Sequence, residues 1–372
     1  MKRNVRVLVV DDSAYTRQAI KGMLETDPDI EVIGIARNGL EAIGKVKELN
    51  PDVITLDFEM PGMDGFSFLR WLMREKPTPV IMISSHSGSK TVFMALELGA
   101  ADFVTKPTGT ASGLNRIQGE LLEKVRGIKD LRLDRVLAFR DMIRQPEKDI
   151  EVTYPALPAV SLSDMHVVAI GSSTGGPAAL QVILSKLKAD LPSGIVISQH
   201  MPKGFTEPFA ERLDRLSQIR VKEAEDGDLL DYGTAYICPG GSHLLIRRQA
   251  GRYCVNLKDP SEDDRYIPSV DLMMRSVAQN FGPRSIGIIL TGMGNDGTDG
   301  IVEIKNNGGY TITESESTAV VFGMPNEAFK TGRVDMVLPV DRISDEIMRS
   351  VSSLADKNKR KPRKKALDFL TG

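Results

Sequence analysis

The sequence is poor in cysteine, in histidine and in long apolar runs, and each shortage excludes something. Two cysteines, Cys238 and Cys254, cannot build a disulfide framework or a zinc site. No apolar run approaches the roughly 18 residues of a membrane span. The opening Met1-Lys2-Arg3-Asn4 leads into a short run of strand character with an acidic end, without the apolar core and small-residue cleavage site of a signal peptide. A reducing, cytoplasmic setting is the expectation. Net charge is small as well. Lys plus Arg number 48 and Asp plus Glu 50, leaving −2. A near-neutral chain has no general affinity for nucleic acid, and no helix-turn-helix pattern is present outside the C-terminal stretch. The neutrality is uneven, however. Residues 357–372 hold seven basic residues and one acid, so the remainder, with 41 basic and 49 acidic residues, carries −8.

With 372 residues, 41% hydrophobic and 26% charged, the composition predicts a soluble chain of two domains. Residues 1–127 alternate strand and helix patterns five times. Strand candidates are 5–10, 31–36, 53–57, 80–84 and 102–105; helical patterns include 15–24 and 65–74. The strands are short, rich in Val and Ile, and too apolar for one exposed face, as in a parallel sheet covered on both sides. Residues 128–164 form a linker: a charged helical pattern over 128–144, then an irregular stretch with Pro146, Pro155 and Pro158. Alternation resumes over 165–355, with strands at 167–170, 194–198, 285–290 and 310–313, helices at 177–187, 270–280 and 298–306, and a β-rich stretch at 220–258. Residues 356–372 read as a basic, mobile tail. The expected architecture is α/β, two doubly wound parallel-sheet domains joined by a linker.

Ligand sites of open parallel sheets lie outside the carboxyl ends of the strands. In the first domain those ends are Asp11-Asp12, Asp57, Ser84-Ser85 and Thr105-Lys106-Pro107. Three crowded carboxylates repel one another unless a cation lies among them. Oxygen ligands with open positions suit Mg²⁺. A carboxylate beside Mg²⁺ and a lysine can attack a phosphoryl group, and Asp57 on the central strand is the best nucleophile. Alternatively, each acid alone could be a turn or cap residue.

In the second domain Gly171-Ser172-Ser173-Thr174-Gly175-Gly176 follows a strand, and Pro177 opens a helix. Gly171 to Gly175 matches G-x-S-x-G, which projects a serine from a sharp strand-to-helix turn. Such a loop also serves simple phosphate binding or packing. A serine nucleophile needs a base, and there are four histidines: His86, His166, His200 and His243. His86 lies in the first domain and His166 at the wrong end of its strand. His200 follows the 194–198 strand on the same edge as Ser173, and His243 is a weaker candidate. Asp296, in the loop after the 285–290 strand, is placed to hold the imidazole. The rival is a dinucleotide site. Gly292-Met293-Gly294-Asn295-Asp296-Gly297 is also G-x-G-x-x-G, with Glu314 about 20 residues on as the ribose-binding acid. That reading leaves the serine motif unused and sets Asp296 against a pyrophosphate. A further alternative is a non-enzymatic signalling module.

Two resemblances narrow these alternatives. Val9-Val10-Asp11-Asp12-Ser13, the run from Asp57 to Gly65 and Thr105-Lys106-Pro107 resemble a response-regulator receiver domain, which is flavodoxin-like. The resemblance implies phosphorylation of Asp57 by a chemotaxis histidine kinase, Mg²⁺ on Asp12, Asp57 and the Glu59 backbone carbonyl with help from Asp11, phosphoryl contacts from Ser84 and Lys106, and Phe103 as the aromatic switch. The stretches 170–177, 198–202, 222–227, 290–297 and 322–325 resemble the chemotaxis protein-glutamate methylesterase (CheB) family, with a Rossmann-like catalytic domain. The family pattern implies Ser173 as nucleophile, His200 as base, Asp296 as its orienting acid, and the backbone of Thr174 and Met293 for the oxyanion, with no cofactor at the esterase site. Ser172 occupies a position that is often alanine in the family. The implied reaction removes methyl esters from chemoreceptor glutamates, releasing methanol, and deamidates receptor glutamines. The receiver is expected to cover the Ser173 cleft until Asp57 is phosphorylated.

Overall fold

The computed structural model describes residues 4–84, 89–106, 111–143 and 165–360. His86, Pro107, residues 144–164 of the linker and residues 361–372 of the basic tail lie outside them. The first unit runs β1 (Val5–Val10), α1 (Ala14–Leu24), β2 (Ile30–Ala36), α2 (Gly39–Leu49), β3 (Val53–Asp57), α3 (Gly65–Glu75), β4 (Val80–Ser84), α4 (Ser89–Leu98), β5 (Asp102–Thr105) and α5 (Ala111–Arg126). Its five strands pair in parallel in the order β2-β1-β3-β4-β5. The strand order reverses between β1 and β3, and there lies the crevice of a doubly wound sheet. Side-chain caps start the helices beside it: Ser13 accepts from Thr16 N, Asn38 from Glu41 N and Asp64 from Ser67 N.

A short 3₁₀ turn at Gly127–Asp130 leads to α6 (Leu133–Ile143). The second unit runs β6 (His166–Ser172), α7 (Gly176–Leu184), β7 (Ser193–Gln199), α8 (Thr206–Leu216), β8 (Arg220–Glu223), β9 (Thr234–Ile237), β10 (His243–Gln249), β11 (Arg252–Lys258), α9 (Val270–Phe281), β12 (Ser285–Ile289), α10 (Thr298–Asn306), β13 (Tyr310–Glu314), α11 (Met324–Lys330), β14 (Met336–Leu338) and α12 (Val340–Arg360). Seven strands pair in parallel in the order β14-β13-β12-β6-β7-β9-β8. Without edge strand β8 this is the Rossmann order, reversing between β6 and β12. The hairpin β10·β11 stands apart as an antiparallel pair. Helix α12 continues to Arg360, beyond the expected end of this unit at 355. Sequence patterning does not single out α8, α11 or α12.

The units share a hydrophobic layer. Phe93 and Phe103 of the first unit, Val136 and Phe139 of α6, and Phe205 and Phe209 of the second belong to one buried cluster. Phe93 stacks on Phe209 with centroids 5.3 Å apart, and Phe103 meets Phe205 at 4.8 Å. Arg212 pairs with Glu97 across the same junction. The segment before α6 adds main-chain bonds: Arg132 N donates to Val320 O at 2.9 Å, and Leu131 bridges Val321.

β13 ends in Glu314, fully buried, whose carboxylate accepts from Thr291 N and Thr318 Oγ1, both at 2.8 Å. Burial pushes this carboxyl up to about 7, against those bonds and the Arg135 charge. A carboxyl raised from 4.5 binds its proton more tightly in the folded chain, so stability falls as pH climbs from about 4.5 to about 7 and then levels. Glu314→Gln should flatten that slope, by on the order of 3 kcal/mol across the window. Urea unfolding at several pH values is the measurement.

Candidate active site and phosphoacceptor site

The acidic edge of the first sheet gathers every acid expected there. Carboxylate oxygens of Asp11, Asp12 and Asp57 lie within 4.8 Å of one another. Asp11 and Asp57 are buried and Asp12 is exposed. Lys106 Nζ donates to Asp57 Oδ2 at 2.7 Å and lies 3.5 Å from Asp11 Oδ2. Asp57 Oδ1 accepts from Phe58 N, and Asp11 Oδ1 from Ser13 N, both at 2.8 Å. Asp11 Oδ2 is buried without a hydrogen bond. Burial and the Asp57 charge push the Asp11 carboxyl up to about 6, against Lys106. Burial likewise raises Asp57, against its bond to Lys106. For Lys106, burial works against its charge, but the bond to Asp57 and both carboxylates hold its pKa above the usual lysine range. An oxygen-rich cluster with an unsatisfied buried oxygen fits a hard divalent cation. Ser84 ends β4, buried, and its carbonyl accepts from Lys106 N at 2.7 Å.

In the second sheet, Ser173 follows β6, His200 follows β7 and Asp296 lies in the loop after β12, at the reversal of strand order. Ser173 N donates to Thr291 O at 3.0 Å, and His200 N to Ser172 O at 3.0 Å. Gln199 ties the loops together: its Nε2 donates to Ser173 O and to His200 O, both at 3.0 Å. The adjacent serines differ. Ser172 is fully buried and its hydroxyl donates to Gln199 Oε1 at 2.7 Å, whereas Ser173 is half-buried. Among the described residues the Ser173 hydroxyl has no protein partner, nor has the N–H of Thr174 or Met293.

His200 Nε2 meets Asp296 Oδ2 at 2.8 Å. Asp296 also accepts from Val270 N at 2.7 Å, Asp271 N at 2.9 Å and Ser269 Oγ at 3.2 Å, all at the start of α9. Burial opposes its ionisation, but the bond and charge of His200 and the two amides hold the carboxyl below its usual range. Neighbouring Asp271 is pushed up to about 6 by burial and the Asp296 charge. An ionised Asp296 holding Nε2 leaves Nδ1 as the free lone pair of a neutral imidazole. The Tyr266 ring lies parallel to that imidazole, 5.1 Å between centroids.

Gln199 and Tyr266 escape sequence reasoning, since each sits in or beside a loop without periodicity. The remaining histidines are elsewhere. His166 opens β6, buried at the opposite end. His243 opens β10, and its ring nitrogens are engaged by Ser269 N and Asp264, so it is not the free base. The dinucleotide alternative fails at Glu314, whose two oxygens are consumed internally.

The first unit reaches this site directly. Thr174 Oγ1 bonds Asp102 at the start of β5. Asp102 in turn holds Lys124 at 2.8 Å, and Lys124 lies over the Phe103 ring at 5.4 Å. Gly127 abuts Met293: a Cβ there would fall 2.3 Å from Met293 Sδ.

Residues 168–347 match the family described as CheB methylesterase, and residues 7–118 match the response regulator receiver domain. A protein of Geobacter sulfurreducens named protein-glutamate methylesterase/protein-glutamine glutaminase 3 is 47% identical over 368 residues, 95% of this chain and 99% of its own. The chain belongs to the CheB family. It is a methylesterase that carries a receiver domain, which makes it a response regulator of two-component signalling. A CheB relative in Pyrococcus horikoshii, named protein-glutamate methylesterase/protein-glutamine glutaminase, is 43% identical over 359 residues, 94% of this chain and 95% of its own. The crystal structure of the Thermotoga maritima CheB methylesterase catalytic domain is 42% identical, with a TM-score of 0.49, covering 50% of this chain and 98% of that one. Among the described residues no helix is long and apolar enough to cross a membrane.

The close packing at Gly292 gives a test of how tightly the nucleophile loop is seated. A Cβ there would lie 2.4 Å from Met324 Sδ, a flexible side chain that can yield, and 2.8 Å from Ser173 Cβ and 3.1 Å from Ser173 N. Gly292→Ala should therefore displace Ser173 and lower kcat about 10²-fold, measured as ester turnover by the full chain.

Proposed function

We propose that Ser173, His200 and Asp296 hydrolyse glutamate γ-methyl esters on chemoreceptors, and deamidate receptor glutamines, in chemotactic adaptation. The observation that carries this reading is the Asp296 carboxylate on His200 Nε2, in a loop tied through Gln199 to a serine whose hydroxyl has no protein partner among the described residues. Ser173 Oγ attacks the ester carbonyl while His200 Nδ1 takes its proton. The Thr174 and Met293 amides, which have no protein acceptor among the described residues, receive the negative oxygen. The tetrahedral intermediate collapses, and His200 returns the proton to the leaving methoxide, giving methanol. Water then attacks the acyl-enzyme with His200 again as base, freeing the glutamate carboxyl and restoring Ser173. With glutamine the leaving group is ammonia. This site uses no cofactor.

On the receiver side, Asp57 is the proposed phosphoacceptor for a chemotaxis histidine kinase, with Lys106 and Ser84 contacting the phosphoryl oxygens. Asp11, Asp12, Asp57 and the Glu59 carbonyl would hold Mg²⁺, whose charge offsets that of the phosphoryl group. The reading places the enzyme in the cytoplasm, in keeping with two free, buried cysteines, and assigns residues 1–127 to the receiver, 128–164 to the linker and 165–355 to the catalytic domain.

The same reading makes the receiver an inhibitory cover. Support comes from the Asp102–Thr174 bond, the Gly127–Met293 packing and burial of the switch residue Phe103 against Phe205. Phosphorylation acts by favouring a separated arrangement over this packed one.

Full-length protein should release methanol from methylated receptor membranes faster once Asp57 is phosphorylated, and Asp57→Ala should abolish that gain. Ser173→Ala should lose at least about 10³-fold, while Ser172→Ala should stay within about 10-fold, the loss expected of one buried hydrogen bond. An active Ser173→Ala enzyme would sink the triad.

Glu97→Lys sets like charges across the junction. It should raise unphosphorylated activity several-fold, and adding Arg212→Glu should restore repression. A basal rate unchanged by Glu97→Lys would refute the cover.

A further inference from the structure

The segment 264–269 touches both partners of Ser173. Tyr266 lies parallel to the His200 imidazole, with 5° between the rings. Ser269 donates Oγ to Asp296 Oδ1 and caps α9, whose first two amides bond the same carboxylate. Both ends of the segment meet one imidazole, that of His243, which is completely buried. Ser269 N–H donates to His243 Nδ1 at 3.0 Å. An Nδ1 that accepts carries no proton, so the neutral ring bears its proton on Nε2. Nε2 faces Asp264 Oδ2 at 3.1 Å and donates to it. Asp264 Oδ2 accepts Ser261 N as well, at 2.6 Å.

We infer that His243 is a positioning residue for ester hydrolysis: by fastening Asp264 and Ser269 it holds the 264–269 segment as a strap that fixes the His200 ring and the Asp296 carboxylate. The inference rests on the triad reading and adds to it a second histidine–carboxylate pair one layer behind the first. The two pairs have different work. Asp296 keeps His200 ready to accept a proton, whereas His243, bonded at both ring nitrogens, serves as a two-ended clasp. The strap's polar ends are engaged by the clasp, and its middle carries an aromatic ring stacked on the base. Tyr266 Oη also donates to Asn295 Oδ1 at 3.3 Å, a long bond, so loosening either end of the clasp would shift the ring on the His200 face.

The test uses the full chain, with kcat and KM measured on methylated receptor membranes. Asp264→Ala removes one end of the clasp without entering the core. It should lower kcat about 3- to 10-fold, the scale of one hydrogen bond, and leave KM within about twofold. Asp264→Asn retains the accepting oxygen and should restore kcat. His243→Asn, which keeps an acceptor for Ser269 but not the tie to Asp264, should match Asp264→Ala; if it fails to fold, the Asp264 variants decide. The decisive measurement is a double-mutant cycle with Tyr266→Ala. If the clasp acts through the strap, the double variant loses no more than the worse single variant. Losses that multiply, a normal kcat in Asp264→Ala, or a defect confined to KM or melting temperature would overturn the inference. Ser173→Ala, assayed alongside, separates the two failures. If it is inactive while the losses multiply, only the strap falls; if it is active, the triad itself falls.

Discussion

In a sheet whose strands all run the same way, every carboxyl end falls on one edge, and this chain carries its polar chemistry on two such edges. The interiors of the strands are apolar because both faces of each sheet are covered by helices. Polar side chains are therefore pushed to the ends, and the ends converge. Asp11, Asp12, Asp57 and Lys106 meet for this reason, as do Ser173, His200 and Asp296. The loops need only fine adjustment, supplied by helix caps and by the side chain of Gln199.

The same constraint explains what could be read beforehand. The strands 5–10, 53–57, 80–84 and 102–105 have their structural bounds in the sequence, since each is an apolar run stopped by an acid, a hydroxyl or a lysine-containing turn. Ser173 and His200 come directly after β6 and β7, and Asp296 lies in the loop after β12, so their meeting at one edge was legible from strand order. Gln199, Tyr266 and the Asp264–His243 pair were not legible. They lie in loops or at strand ends, where no period applies and a residue's neighbours depend on packing rather than spacing. Use of His200 Nε2 by Asp296 is likewise a property of loop directions. The glycine pattern around Gly292 misleads for a related reason: tight turns after a strand need glycine whether or not a nucleotide is bound.

Electrostatics divides the two edges. At the first, burial raises Asp11 and Asp57, so charge there is held under tension that a cation would relieve. At the second, the start of α9 and an imidazole keep Asp296 ionised despite its burial, and the tension passes to Asp271. One edge is arranged to take up charge from outside. The other has already settled its own charge around a fixed hydrogen bond, which suits a site that must return to its starting state after every turnover.

The aromatic layer shared by the two units has a thermodynamic consequence. Phe103 is packed against Phe205 and wired through Asp102 to Thr174, so the receiver and the esterase site draw on one contact surface. Coupling of this kind is reciprocal. In the proposed arrangement, a phosphoryl group that releases the cover also strengthens substrate binding, and a bound receptor must favour the phosphorylated receiver by the same factor. The enzyme would then favour its phosphorylated form most where its substrate is densest, so a receptor cluster would bias the enzyme that edits it toward its active state.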